Sequence, residues 1–361
     1  MNGTQNGPDV AAAVATDGIE LIVEHDTEYT YSTQVAFAQH IAHLTPLSAP
    51  GQSLRDFMLT IEPAPTLRHT GTDTFGNERT YFALNVAHEG LRVQTRSRVC
   101  LAPRYQGLDP RLSPAWESVR DALRYVARAP FAPATEFVFS SAYVPYDTAL
   151  RDYAQASFGP RQTVLGGALD LMHRIHADFR YAAGSTDVAT PVREAFAARA
   201  GVCQDFTHVM IGGLRALGLP ARYVSGYLFT RPARTAASAD EGCASQVAKD
   251  AQGSGPSQSQ SQSQSQSPSP SPAPSAPPGD ASAPMVGADA SHAWVSVLCP
   301  RFGWVELDPT NDMVPGIEHV RLAVGRDYGD VAPLRGVVQG GGEHQLRVAV
   351  HVSASEPWAT A

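Results

Sequence analysis

The sequence predicts an α+β protein in which a central helix, carrying a cysteine at its first turn, packs on an antiparallel sheet and is preceded by an all-β N-terminal domain. Three observations predict it. After Gly201, Val202 and Cys203, the residues Phe206, Val209, Met210, Gly213, Leu214 and Leu217 recur at i, i+3, i+4, i+7, i+8 and i+11, one apolar face of a helix. That helix stops at Gly218, with Pro220 just beyond. Residues 291–298 and 303–308 read as two strands joined by the turn Cys299, Pro300, Arg301, Phe302, Gly303. Residues 19–32, 57–62, 80–87 and 91–101 are strand-like runs rich in Val, Thr and Tyr, with turn residues between them.

Taken in order, residues 1–17 carry neither a basic n-region nor a long apolar run, and are expected to be a disordered N-terminus without a signal peptide. The β domain covers 18–105, with turns at Thr74, Phe75, Gly76, Asn77 and at His88, Glu89, Gly90. It holds no chemistry-bearing cluster, so it is read as a structural or docking module, with substrate selection as the alternative. A helical connector, 106–160, opens at Ser113, Pro114, Ala115, Trp116 and Glu117, a cap followed by proline and an early acid, and ends in a helix over 147–156.

The core is expected over 161–352. Its first helix shows the stripe Leu165, Ala168, Leu169, Met172, Ile175, His176 and Phe179. His173 and His176 stand at i and i+3 but have no further ligand cluster beside them, so they are read as ordinary helix residues rather than a zinc pair. Thr190, Pro191 and Val192 start a short helix that ends at Gly201, and 221–229 is a strand by composition. Residues 325–336 form a glycine-bounded loop, 344–352 alternate as a final strand, and 353–361 are a tail.

From 231 to 288 the chain turns to Ser, Gln, Pro, Ala and Gly, with strict Ser and Gln alternation over 257–267. It has almost nothing to bury and is predicted to be disordered. Removing it leaves a short strand-to-strand step between Cys203 and His292, so it is an insertion in a loop and not a domain boundary. Its root near those residues leaves a lid or partner-binding role open. Cys243, inside it, is read as an incidental exposed thiol.

Cys203 opens a core helix, where unpaired N–H groups and the positive end of the helix dipole favour thiolate over thiol. A turn centred near Arg301 sets His292 nearly opposite Asp308 at the open end of the hairpin, so a base and the carboxylate that orients it become neighbours. Singly, each has an ordinary role as a core cysteine, a strand-end histidine or a turn former before Pro309. Together they supply a nucleophile, a base and an orienter.

The words GVCQDFTH, RALGLPARYVSGYL, SHAWVSV and GWVELDPTND, in this order, resemble the transglutaminase-like superfamily in its bacterial form with an extra N-terminal β domain. HDTEYTYS and GRDYGDVAPLRG extend the resemblance over most of the chain. It implies a papain-like transglutaminase core and, residue by residue, a catalytic triad of Cys203, His292 and Asp308. The implied chemistry is cysteine-dependent acyl transfer on peptide or protein amides through a thioester. Hydrolysis, as by a peptidase or amidase, is favoured over protein-glutamine transamidation because water is always present and no amine-acceptor site stands out. A non-catalytic binding module is the other alternative. The Cys203 backbone N–H is an expected oxyanion donor; Gln204, Trp294, Tyr223, Tyr227 and Tyr328 are oxyanion or cleft candidates. The glutamine that papain-like proteases carry six residues before the cysteine is Ala197 here.

The remaining features bound the function. With 361 residues, 43% of them apolar, the chain can bury one sizeable core or two. A net charge of −8 gives no support for nucleic-acid binding, and no run approaches the ~20 apolar residues of a membrane span. The four cysteines, at 100, 203, 243 and 299, show neither CxxC spacing nor the density of a disulfide scaffold, so a reducing cytoplasm is the expected location. P-loop, dinucleotide and EF-hand spacings are absent. The expectation is therefore a peptide or protein substrate, no cofactor and no metal, and nothing that sets an oligomeric state.

Overall fold

The structure, a computed structural model, describes residues 18–124, 126–128, 130–230, 285 and 291–355. The expected disordered start, the 231–288 insertion with Cys243 (residue 285 apart) and the end of the tail lie outside them.

The N-terminal sheet is organised around one long strand. β1 (Ile19–Ala42) alternates, with Leu21, Val23, His25 and Thr27 turned inward. β2 (Gln52–Glu62), β3 (Leu67–Thr72), β4 (Glu78–Leu84) and β5 (His88–Leu101) join it in the order β2-β5-β1-β4-β3, all antiparallel. β3 has no counterpart in the sequence-based expectation. It is an edge strand with almost every residue exposed, so no apolar alternation marks it.

Helices follow. α1 (Trp116–Ala122), α2 (Thr148–Gln155, capped by the Asp147 side chain) and α3 (Val164–Asp178, capped by Thr163) lead to the short parallel pair β6 (Arg180–Tyr181) and β7 (Ala200–Gly201), with α4 (Val192–Ala198) between. This pair delivers the chain to α5 (Cys203–Ala216), in which every residue from Gln204 to Arg215 is buried. α2 lies close against α5 because glycines leave room. A Cβ on Gly213 would meet the Ala154 Cβ at 2.8 Å, and one on Gly212 would meet Leu150 at 2.7 Å.

Under α5 lies a four-stranded antiparallel sheet, β10-β9-β8-β11, made of β8 (Ala221–Leu228), β9 (His292–Cys299), β10 (Gly303–Leu307) and β11 (His319–Gly325). Phe206, Val209, Met210 and Leu214 of α5 share one core with Val295, Val297, Val305 and Leu307 of the sheet. β11 is buried along its whole length, His319 and Arg321 included, so its residue types do not report its burial.

After α6 (Tyr328–Val331), β12 (Leu334–Gly340) and β13 (His344–Ala354) complete the chain. Here the expectation is corrected. The strand over 344–352, assigned to the core, forms, but on the N-terminal sheet, where Leu21↔Ala354 through Tyr31↔His344 pair with β1. The end of the 325–336 loop likewise becomes β12, paired with Val35–Ala42 of β1. The reason is the length of β1. β5 covers only one edge over Ile19–Thr30, and the backbone groups of the other edge need partners.

Candidate active site

The approach to Cys203 is fixed by a side chain just inside the helix. Asp205 accepts the Val202 N–H at 2.8 Å and the Thr186 hydroxyl at 2.7 Å, closing the first turn. Gly201 makes this possible, since a Cβ there would fall 2.4 Å from the Asp205 Oδ2. Cys203 is half-buried and free of any disulfide.

His292 opens β9 and faces Gly226 across the ladder with β8. The β9–β10 register runs from Gly303↔Cys299 to Leu307↔Val295, so Asp308 emerges one residue past the last pair, beside His292. His292 Nε2 donates to Asp308 Oδ2 at 2.8 Å, with both side chains fully buried. Asp308 is held on both oxygens. Its Oδ1 accepts the backbone N–H groups of Thr310 (2.9 Å) and Asn311 (3.2 Å), and its Oδ2 also accepts Asn311 Nδ2 (2.9 Å) and His319 Nε2 (3.2 Å). Burial alone would raise this carboxyl, but the histidines reverse the sign and hold it well below the usual carboxylate range.

For His292 the balance is the mirror image. Burial would lower it, but the Asp308 carboxylate and then Cys203 push it up to about 10. The ring is therefore imidazolium at neutral pH. With Nε2 occupied, Nδ1 is the nitrogen left for Cys203; it is buried and has no aligned hydrogen-bond partner among the described residues. His319 goes the other way, because burial outweighs Asp308 and keeps it neutral.

Residues 21–100 match the model of the bacterial transglutaminase-like N-terminal region, and residues 151–309 that of the transglutaminase-like superfamily. An uncharacterized protein of Mycobacterium tuberculosis is 36% identical over 331 residues, spanning 90% of this chain and 89% of its own. The chain belongs to the transglutaminase-like superfamily. A second relative, from Mycobacterium leprae, is 28% identical over 335 residues, 92% of this chain and 97% of its own. Among solved structures, a candidate cysteine protease of Cytophaga hutchinsonii superposes with a TM-score of 0.62 over 94% of this chain and 91% of its own, at 18% identity, a likeness of fold. The fold is thus α+β, a papain-like transglutaminase core behind an all-β region, and among the described residues no helix is long and apolar enough to cross a membrane.

Around Cys203, His292 and Asp308 the other sequence-derived candidates separate. Tyr223 stays near the cysteine. It lies in the α5-side core against which Cys203 packs, 5.3 Å from the His208 ring and 6.4 Å from Tyr328. Tyr328 is tied to the same group, its N–H donating to His208 Nε2 at 3.2 Å. Gln204 is turned away, donating to the Val188 carbonyl at 3.2 Å and so bracing the segment before α4. Trp294 and Tyr227 are not cleft residues. Trp294 is 0% exposed and underlies the histidines, with ring centroids 6.0 Å from His292 and 5.1 Å from His319. Gly226 makes room for it, as a Cβ there would fall 2.4 Å from the indole. Tyr227 is 1% exposed and bonds His25 of β1 at 3.0 Å. Both belong to strands buried on two faces, where aromatic residues fill core.

Two supports of this transglutaminase-like site were missed from the sequence. His319 opens β11, a strand buried throughout that also holds Arg321, so nothing in its spacing sets it apart. His173 and His176, read as ordinary helix residues, brace the turn after the aspartate. His173 Nδ1 meets Asp312 at 2.5 Å and His176 Nδ1 meets the Thr310 carbonyl at 3.0 Å. His292, Asp308 and His319 also bring their ligand-type atoms together. In that group both imidazole Nε2 atoms are already spent on one carboxylate oxygen, so it fits a hydrogen-bonded cluster better than a metal site.

Proposed function

We propose that the protein is a cysteine-dependent acyl-transfer enzyme acting on peptide or protein amides, with hydrolysis as its main outcome. The observation that supports this reading is the buried 2.8 Å bond between His292 and Asp308, with Cys203 acting on the same imidazolium. In the proposed mechanism the Cys203 sulfur attacks the amide carbon, and the backbone N–H of Cys203, a free donor of the helix start, meets the developing oxyanion. The His292 imidazolium gives its proton to the leaving amine, and the C–N bond breaks to leave a thioester. Neutral His292 then takes a proton from water as the water attacks the thioester, and returns it to sulfur as the acid departs. Asp308 keeps the ring oriented throughout and never needs to be protonated. An amine in place of water gives transamidation from the same thioester. A reducing location such as the cytoplasm suits a nucleophile present as a free thiol.

The test is to locate the nucleophile first and read the acceptor second. Iodoacetamide labelling near pH 6, mapped by peptide mass, is expected at Cys203 and to be slowed at least about tenfold in His292→Ala. Wild-type protein given glutamine- and amide-containing peptides with a labelled primary amine is then expected to release free acid faster than it incorporates amine. Predominant incorporation would move the assignment to transamidation. A Cys203 that labels no faster than Cys243, with no turnover of any amide tested, would leave a binding module.

A further inference from the structure

Strand alternation places Arg222, next to Tyr223, on the face of β8 turned away from α5, opposite Ser296 of β9. Its guanidinium lies 4.3 Å over the Trp304 ring. Nε is sealed from solvent without a hydrogen-bond partner among the described residues. The nearest acid does not balance it. Glu306 already binds Arg104 at 2.6 Å and Arg321 at 3.4 Å, so Arg222 is a third cation around one carboxylate.

Arg222 and Trp304 form the floor of a cavity of about 670 Å³, with Phe75 and Phe137 as walls and Arg79 and Arg335 among its further lining. Its acids are already committed. Asp330 and Glu136 pair with Arg326 at 2.8 and 3.5 Å, and Asp73 accepts the N–H groups of Phe75 and Asn77 at 2.8 and 2.9 Å. Its lining thus carries four arginines, Arg79, Arg222, Arg326 and Arg335, against three acids, one positive charge in surplus, beside a cluster of packed rings. Phe75 and Phe137 stand 5.7 Å apart by ring centroid, and Phe137 and Trp304 5.3 Å.

We propose that this cavity is a binding site for a small carboxylate carried on a flat, unsaturated or aromatic body. Arg222 lines the cavity, its terminal nitrogens make a planar fork matched to a carboxylate, and the rings supply apolar surface for the attached body. The volume is that of a small-ligand site. Nothing in it touches Cys203, so it stands or falls apart from the acyl-transfer reading.

The test uses the full chain with benzoate as probe, benzamide as its neutral isostere and inorganic phosphate as a bare anion, read by thermal shift and by tryptophan fluorescence. Benzoate is expected to bind saturably with a Kd of about 1 mM or tighter, and benzamide and phosphate each about tenfold more weakly or worse. Arg222→Gln should abolish the benzoate response, and Trp304→Phe should remove the fluorescence change while leaving a thermal shift. Should Arg222→Gln fail to fold, the exposed Arg79→Ala, expected to weaken benzoate a few-fold, and the benzoate-to-benzamide ratio still decide. Equal binding of benzoate and benzamide, equal binding in Arg222→Gln, or no saturation at all would overturn the proposal.

Discussion

At the scale of single residues, Asp308 is the hinge of the site, and its second histidine is open to direct test. His319 is neutral and donates Nε2–H to an ionised carboxylate, a bond of about 1.5–3 kcal/mol when buried. His319→Leu is therefore expected to slow Cys203 alkylation about tenfold or more, with His319→Gln recovering part of the loss by restoring a donor. An unchanged rate in the leucine variant would reduce His319 to packing. The charge on His292 gives a pH signature with a definite sign. Its folded value is raised from 6.5 to about 10, so the imidazolium and the stability it contributes are intact below 6.5 and lost as pH rises toward 10. Turnover should fall along an alkaline limb near pH 10 as the general acid is lost, while Cys203, still a thiolate, keeps its reactivity to alkylation; a turnover limb near the ordinary histidine value in wild type would contradict the pairing. The place of Cys203 at a helix start and the closeness of His292 to Asp308 were legible in the sequence because a helix period and a hairpin register are local. His319 was not, because what makes it matter is a contact between strands that no spacing in the chain encodes.

At the scale of elements, α5 is where local and global preferences agree. Its apolar face, its glycine stop and its packing all follow from the order of residues, and the helix runs where the period predicts. What the period does not show is that Gly213 is a contact surface as well as a member of the stripe. Gly213→Ala improves helix propensity by about 1 kcal/mol yet drives a methyl to 2.8 Å from the Ala154 Cβ, at a cost of about 1–3 kcal/mol. The net expectation is a lower Tm, checked by thermal unfolding, with Gly213→Ala/Ala154→Gly returning most of it; a higher Tm for the single variant would mean that α2 yields freely. The strands divide by the same logic. β8 to β10 were legible from composition and turn residues, whereas β3 and β11 were not, β3 having too little apolar character and β11 burying a histidine and an arginine among few apolar residues. β13 was found as a strand but given to the wrong sheet, since alternation reports which residues face inward and not which neighbour they pair with.

At the scale of the whole molecule, polar groups buried between the N-terminal strands and the core hold much of the risk. Glu306 is the single carboxylate between Arg104 and Arg321, and Arg321 also reaches the Pro50 carbonyl at 2.5 Å. Glu306→Gln leaves buried cations without their counterion and is expected to cost about 3–5 kcal/mol in urea unfolding; a loss below about 1 kcal/mol would show the arginines to be solvated. On the acid side, His25, His40 and His208 are each lowered from 6.5 to about 4 by burial, so the unfolded chain binds more protons between those values. Stability should therefore decline as pH falls through that window, by up to about 1.4 kcal/mol per pH unit for each histidine, and acid unfolding should take up protons accordingly. The pairing of β1 with β13 has a consequence in time. Synthesis delivers Ile19–Ala42 first and His344–Ala354 last, so one side of the opening strand must wait, unpaired, while the entire core is made. The nascent chain thus carries an open sheet edge for most of its synthesis, and that edge is sealed only when β12 and β13 run end to end along it.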